Sequence, residues 1–181
     1  MITIGVFAGS RNGEGWTPAS HAHQLGNILG NVEDVSVLYG GENTGLQHIF
    51  ATSFLSHSPN IDGAIVERHV ELGMQMKGLR DCKTFTDFSA RKRYIYDTVD
   101  ICVALPGGVG TMDEIFNFLT YSYENELYKP LVLIDTNKIF SRALQPLIDA
   151  GFLYRESMAQ IQFADNPGDA LKYITDLEGR V

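Results

Sequence analysis

Short apolar runs alternate with segments of helical period along the chain. Runs of strand length occupy residues 2–8, 35–39, 61–66, 101–105 and 131–134. Most of the segments between them repeat their apolar residues every three to four positions, as an amphipathic helix does. This rhythm predicts an α/β fold with an open parallel sheet and helices on both faces. The predicted helices cover about 17–30, 44–55, 89–98, 111–124, 138–149 and 167–177, whereas the stretch 67–87 gives no clear pattern.

Several predicted helices begin with recognisable capping signals. Thr17 and Asn166, each followed by proline, predict a cap residue before a proline at the first helical position, and Ser89 predicts a third cap. Glu114 follows Thr111 by three residues, which is the spacing of a capping box. There is no internal repeat, low-complexity tract or linker, so we predict a single domain over residues 1–181.

Composition narrows the class of partner. A chain of 181 residues with 44% hydrophobic and 20% charged residues is long enough to bury a core without covalent staples. Its net charge of -8 and the shortness of its longest basic run, residues 91–93, argue against nucleic acid as a partner. Cys82 and Cys102 lie in strand-like segments, which predicts core thiols in a reducing compartment. With neither a signal peptide nor a run of ~20 apolar residues, we expect a cytoplasmic protein without a membrane partner.

Glycine-rich turns follow three of the predicted strands. Gly9 and Ser10 follow the first strand, and Gly40 and Gly41 follow the second. The turn after the fourth strand consists of Pro106, Gly107, Gly108, Val109, Gly110 and Thr111. Each turn alone is typical of an ordinary strand-to-helix connection. Ligands of open α/β sheets bind beyond the carboxyl ends of the strands, so the three turns together favour a shared ligand floor.

The turn at 106–111 has the properties of a phosphate site. Glycines let backbone N–H groups approach an anion, and the following helix adds unpaired N–H donors and the positive end of its dipole. The turn is not a dinucleotide fingerprint, because Asp113 stands where that motif has its last glycine. A P-loop motif is absent too. We therefore predict that the turn holds the phosphate of a nucleotide-like small molecule.

Two charged residues are candidates for chemistry. Glu114 either caps its helix or reaches the sugar of a bound nucleotide, where a carboxylate can orient water or stabilise an oxocarbenium-like transition state. Arg91 shares a helix face with Ile95, so its guanidinium at the edge of a buried face needs an anion. The alternative is a solvated basic helix start, although cations are unfavourable at that end. The five histidines show no metal-ligand spacing, and we predict neither a metal nor a cofactor.

Arg91 and Lys92, followed by the turn 106–111 and Glu114, form an R-K and P-G-G-x-G-T-x-x-E pair. This pair resembles the signature of the LONELY GUY family of nucleoside monophosphate phosphoribohydrolases, formerly described as lysine decarboxylases. The similarity extends from the first glycine turn to the segment around Phe152. It implies a Rossmann-like fold and a homodimer.

The resemblance also implies an activity, the hydrolysis of the N-glycosidic bond of nucleoside 5'-monophosphates, including cytokinin nucleotides. Arg91 and Glu114 would be the catalytic pair, and the glycine turns with Ser10 and Lys92 would bind the substrate and its phosphate. Some positions differ from the family pattern, namely Glu42, Gln47, His48, Ser89, Ala90, Asn117 and Tyr123. Glu42 replaces a glycine beside the phosphate turn, where its charge is expected to weaken phosphate binding.

Two other functions are alternatives to hydrolysis. A binding protein on the same fold, similar to molybdenum-cofactor carriers, would use the glycine turns without chemistry. The presence of both Arg91 and Glu114 favours the enzyme. A nicotinamide-dependent oxidoreductase is disfavoured, since the dinucleotide fingerprint fails and the chain has no length for a substrate domain.

Overall fold

Seven parallel strands form one sheet in this computed structural model, which describes residues 1–153 and 155–178. The strands are β1 Ile2–Phe7, β2 Val35–Tyr39, β3 Ile61–Val66, β4 Asp81–Phe85, β5 Ile101–Ala104, β6 Leu131–Ile134 and β7 Ile161–Ala164. Their order is β4-β3-β2-β1-β5-β6-β7. The order changes direction between β1 and β5, so the sheet has a switch point at which their carboxyl ends form a crevice.

Helices cover both faces of this sheet. They are α1 Thr17–Gly30, α2 Gly45–Leu55, α3 Glu67–Glu71, α4 Phe88–Thr98, α5 Val109–Glu124, α6 Ile139–Asp149, α7 Arg155–Ala159 and α8 Pro167–Glu178. One core cluster joins α1, α2 and α8 to the sheet, and a second joins α4, α5 and α6 to its opposite face. The predicted α/β architecture is therefore confirmed.

The structure adds elements that the apolar pattern did not predict. β4 is an edge strand whose side chains are all exposed or half-buried. β7, at the other edge, has buried first and last residues with an exposed and a half-buried residue between them. An edge strand can be polar, because only part of its surface faces the core. The short α3 lies with β4 in the stretch 67–87 that gave no pattern.

Two of the three predicted helix caps are wrong. The N-cap of α1 is Trp16, without a side-chain hydrogen bond, and Thr17 already lies inside the helix. In α4 the cap is Asp87, whose carboxylate accepts hydrogen bonds from the backbone of Ser89 and Ala90. Asn166 does cap α8, since its Oδ1 accepts from the backbone N of Asp169 at 3.1 Å. The error arose because proline or a hydroxyl marks a helix start only to within a residue or two.

The cysteines occupy different environments. Cys102 is buried in β5, as predicted, whereas Cys82 on the edge strand is only half-buried, so the core position predicted for it is wrong. Among the described residues, none of the helices combines the length and the apolar character needed to cross a membrane. Of the predicted domain, Tyr154 and residues 179–181 lie outside the described residues.

Candidate functional site

A cavity of about 660 Å³ opens at the carboxyl ends of the central strands. Its walls come from the loops and helix starts that follow β1, β2, β3, β4 and β5. Eight of the predicted site residues line it: Ser10, Arg91, Lys92, Gly108, Val109, Gly110, Thr111 and Glu114. The structure thus brings together residues from three separate segments of the sequence.

The other four predicted site residues, Gly9, Gly40, Gly41 and Gly107, are not among the residues that line the cavity. A β carbon on Gly40 would stand 2.5 Å from Gln47 Oε1 and 2.7 Å from Arg91 Nη2. One on Gly9 would stand 3.0 Å from the Cα of Gly107. These glycines therefore leave room for neighbouring groups and do not themselves line the cavity.

The α5 N-terminus points its donors at the cavity. The helix begins at Val109 after the N-cap Gly108, and no side chain caps it. The first N–H groups of a helix have no partner within the helix, and together with the dipole they attract anions. Val109 is 89% exposed. The capping-box interpretation of Glu114 is wrong, since that carboxylate pairs with Arg91 instead.

Arg91 and Glu114 form a pair at the centre of the cavity wall. Arg91 Nη2 donates to Glu114 Oε1 at 3.1 Å, and Arg91 Nε donates to the backbone oxygen of Ala64 at 2.6 Å. Their side chains are only 7% and 13% exposed. The carbonyl of Ala64 in β3 fixes the guanidinium, so Arg91 meets the anion that its position on the buried helix face predicted.

Burial of the Glu114 carboxylate raises its pKa above the ordinary value of 4.5. The charge and hydrogen bond of Arg91 oppose this effect, while the negative charges of Glu42 and Asp113 add to it. Burial is the largest contribution. A carboxyl with a raised pKa beside a cation is suited to exchanging protons with water or substrate.

Lys92 has its own partner on α5. Its Nζ donates to both carboxylate oxygens of Asp113, at 2.9 and 3.2 Å. The side chain of Lys92 is 13% exposed, and Asp113 is about half exposed. Arg91 and Lys92, at the start of α4, are therefore paired with Glu114 and Asp113 of α5. These pairs offset the repulsion between cations and the positive end of the α4 dipole.

The cavity also contains residues that sequence reasoning missed: Arg11, Gln47, His69, Met74 and Phe88. Gln47 is buried, and within the described residues its Oε1 has no hydrogen-bond partner. Gln47 was visible as a departure from the family pattern, and Arg11 lies in the first glycine turn. His69 and Met74 lie in the stretch 67–87, which gave no clear secondary-structure pattern, and Phe88 follows that stretch directly.

Glu42 faces the cavity and pairs with a histidine. Its carboxylate Oε1 lies 2.7 Å from His69 Nδ1, and Glu42 is buried at 6% exposure. His48 and Ala90, two other departures from the family pattern, are exposed and do not line the cavity. Within residues 1–153 and 155–178 no group of three His, Cys, Asp or Glu side chains could hold a metal ion.

The parallel sheet, the glycine turn at its switch point and the buried arginine-glutamate pair define a Rossmann-like α/β protein with a cavity at the strand ends. The model of the family described as "Possible lysine decarboxylase" matches residues 48–174, and the chain belongs to this family. This confirms the resemblance inferred from the R-K and P-G-G-x-G-T-x-x-E pair.

Two curated relatives share one functional name. The cytokinin riboside 5'-monophosphate phosphoribohydrolase of Rhodococcoides fascians is 30% identical over 139 residues, which cover 76% of this chain and 70% of that protein. A protein of the same name from Arabidopsis thaliana is 26% identical over 179 residues, or 97% of this chain and 82% of that one.

Solved structures share the fold at lower identity. The molybdenum cofactor binding protein of Rippkaea orientalis aligns with a TM-score of 0.73 at 21% identity, covering 97% of this chain and 96% of that one. The molybdenum cofactor carrier protein of Chlamydomonas reinhardtii gives a TM-score of 0.75 at 18% identity, with 98% of each chain covered. At such identity these structures establish the Rossmann-like fold alone.

Proposed function

We propose that this protein is a phosphoribohydrolase, which hydrolyses the N-glycosidic bond of nucleoside 5'-monophosphates to give the free base and ribose 5-phosphate. The observation that carries the proposal is the Arg91-Glu114 pair, buried in the wall of a cavity whose floor is the uncapped N-terminus of α5. The names of the curated relatives support the same activity.

In this proposal the phosphate of the substrate binds at the turn 106–111. Backbone donors of Gly108, Val109 and Gly110 lie at the start of α5, and Ser10 and Arg11 face them from the loop after β1. The helix end and the Arg11 guanidinium both favour a dianion. This arrangement selects a 5'-monophosphate over an uncharged nucleoside.

Glu114 lies in the second turn of α5, close to the phosphate turn. With the phosphate bound there, its carboxylate faces the ribose of the substrate. As the bond between C1' and the base breaks, positive charge develops on the ribose ring, and a nearby carboxylate stabilises it. Water then adds to C1' and gives its proton to Glu114. Arg91 keeps this carboxylate oriented and holds it in its charged form before the reaction.

Buried Gln47 offers a further contact to the sugar. Its Oε1 has no partner among the described residues and stands near Arg91, as the space above Gly40 shows. A ribose hydroxyl would donate to this oxygen and remove the cost of leaving it unsatisfied. The cytokinin nucleotides named for the relatives belong to the substrate class that this site would accept.

We also propose, from the family resemblance, that the protein acts as a cytoplasmic homodimer. Light scattering after size-exclusion chromatography tests the dimer, because a mass near twice the 20.1 kDa of one chain is expected. A mass of one chain would contradict it.

The experiment for the activity is a panel of nucleoside 5'-monophosphates, with free base detected by chromatography. Glu114→Gln should abolish base release while binding of ribose 5-phosphate is kept. Glu124→Gln is the matched control, because Glu124 is an exposed carboxylate on the same helix and does not line the cavity. Tight binding of nucleotides without any base release would instead identify a carrier.

A further inference from the structure

His69 and Glu42 form a second polar pair in the same cavity as Arg91 and Glu114. We infer that His69, held by Glu42, is the acid that gives a proton to the departing base. The inference rests on the proposed function and assigns it a further catalytic residue. Neither His69 nor Glu42 is needed for the phosphate and sugar contacts described above, so the pair is a separate feature of this chain.

The hydrogen bond fixes which nitrogen of the imidazole is available. Glu42 Oε1 lies 2.7 Å from His69 Nδ1, and a carboxylate oxygen can only accept, so Nδ1 donates. The remaining nitrogen, Nε2, is then the one free to face a ligand. Both residues line the cavity, and the His69 side chain is the more exposed of the two, at 22% against 8% for Glu42.

The backbone holds this pair in place. Glu42 forms an antiparallel bridge with Gln75. On either side of it, Asn43 N donates to the oxygen of Met74 and Met76 N donates to the oxygen of Gly41, both at 2.8 Å. Backbone hydrogen bonds thus hold the segment that follows α3 against the loop that follows β2. A carboxylate buried to this degree requires a partner, and His69 provides it.

The order of the strands places His69 at the base end of a bound nucleotide. The phosphate turn follows β5 and His69 follows β3, with β1 and β2 between them. Adjacent strands lie ~4.8 Å apart, so the two sites are well separated along the cavity. Met74 and Phe88 line the cavity on the His69 side, and the rings of Phe88 and His69 lie 5.6 Å apart, edge to face. An apolar wall with one polar group suits a flat heterocyclic base.

The two pairs then move protons in opposite directions. The bond between C1' and the base nitrogen breaks, and its electrons stay with the base. The protonated imidazole of His69 gives its Nε2 proton to the base, while water adds its oxygen to C1' and loses a proton to Glu114. A proton returns from Glu114 to His69 through solvent after the products leave. Overall, one water is consumed and the base and ribose 5-phosphate are formed.

The test compares two leaving groups that differ in their need for a proton. A purine nucleoside 5'-monophosphate is paired with its N7-methylated form, whose base already carries a positive charge and leaves as a neutral molecule. His69→Asn should slow base release from the ordinary nucleotide by ~10²-fold or more, the usual contribution of a general acid. Release from the methylated nucleotide should change by less than about tenfold. Exposed His48, changed to Asn, is the control.

Glu42→Gln provides a second variant that keeps an oxygen facing Nδ1. Like His69→Asn, it should slow base release from the ordinary nucleotide more than from the methylated one. The decrease in rate should be smaller than in His69→Asn. Equal losses on both nucleotides, or no loss on either, would overturn the assignment of His69 as the acid. Failure of the proposed function looks different, because the unmodified protein would then release base from neither nucleotide.

Discussion

Gly107 and Thr111 are packed so closely across the turn after β5 that a β carbon on Gly107 would overlap Thr111 Oγ1 and come within 2.5 Å of Thr111 Cβ. Thr111 is buried at 3% exposure and cannot move aside. Gly108 and Gly110, in the same turn, have no atom within 4 Å of the corresponding position. The turn therefore contains one glycine required by packing and two that border open space.

This difference predicts separate effects for substitutions in one turn. Gly107→Ala should lower the free energy of unfolding by about 1–3 kcal/mol, the usual cost of overpacking. Gly110→Ala should leave stability unchanged or raise it by up to ~1 kcal/mol, because alanine favours the helix. It should nonetheless weaken the binding of ribose 5-phosphate, since the added methyl occupies the anion site. Denaturant unfolding and calorimetric titration measure the two effects, and undiminished binding in Gly110→Ala would place the phosphate elsewhere.

Arg91→Ala should impair both activity and stability. The change leaves the Ala64 oxygen without its donor and the Glu114 carboxylate without its cation, and both groups are largely buried. Loss of a buried partner costs about 2–4 kcal/mol, and base release should fall on the order of 10²-fold or more.

Arg93→Ala is the matched control for Arg91, because Arg93 is exposed on the same helix. It should keep both the melting temperature and the rate of the unmodified protein. A variant Arg91→Ala with full activity would show that Arg91 serves the fold alone.

As the pH falls, the activity should be lost at a higher pH than it would be if Glu114 had the ordinary pKa of a glutamate. The pKa of Glu114 is raised above 4.5, chiefly by burial, so the required carboxylate becomes protonated sooner as the pH falls. Glu42→Gln removes a neighbouring negative charge that contributes to this rise, and it should move the acid limb of kcat/KM to lower pH. An acid limb that does not move on this substitution would mean that another group controls it.

The same pKa shift affects stability with a defined sign. Because the folded protein holds the Glu114 proton more tightly than the unfolded chain, its contribution favours the folded state below pH 4.5. The contribution is lost as the pH rises through the raised pKa. The stability of Glu114→Gln, measured relative to the unmodified protein, should therefore be higher near neutral pH than in acid. Thermal unfolding of both proteins at several pH values would show this.

Sequence reasoning succeeded where the signal was local and failed where pairing was distant. The position of Arg91 and Glu114 in the cavity wall could be predicted because one lies on a buried helix face and the other follows a glycine turn. Their role in a reaction stays a prediction. Glu42 and His69 are 27 positions apart in the sequence. A backbone bridge between two loops brings them together, and no periodic pattern in the sequence predicts that bridge. β4 was missed because an exposed edge strand has no continuous apolar run.

Phe88 should affect substrate binding more than the chemical step. It is half exposed at the rim of the cavity, beside His69. Phe88→Ala should raise KM for nucleotides about tenfold while kcat changes little, because stacking on a base is worth ~1–3 kcal/mol. Phe152, which is 76% exposed and does not line the cavity, provides the control when changed to alanine. A fall in kcat with an unchanged KM would show that the base does not stack on Phe88.

Glu42→Gly should change affinity and turnover in opposite directions. Glu42 lies in the same cavity as the phosphate turn, at the His69 end, so removing its charge reduces the repulsion that acts across the cavity and tightens the binding of nucleoside 5'-monophosphates. Its removal also frees His69 from its partner, so base release should slow. Titration in the Glu114→Gln background, where substrate is not consumed, measures the affinity at two ionic strengths. The gain should be larger at low salt because ions screen the repulsion, and an equal affinity in both variants at both salt concentrations would show that the charge of Glu42 does not reach the phosphate.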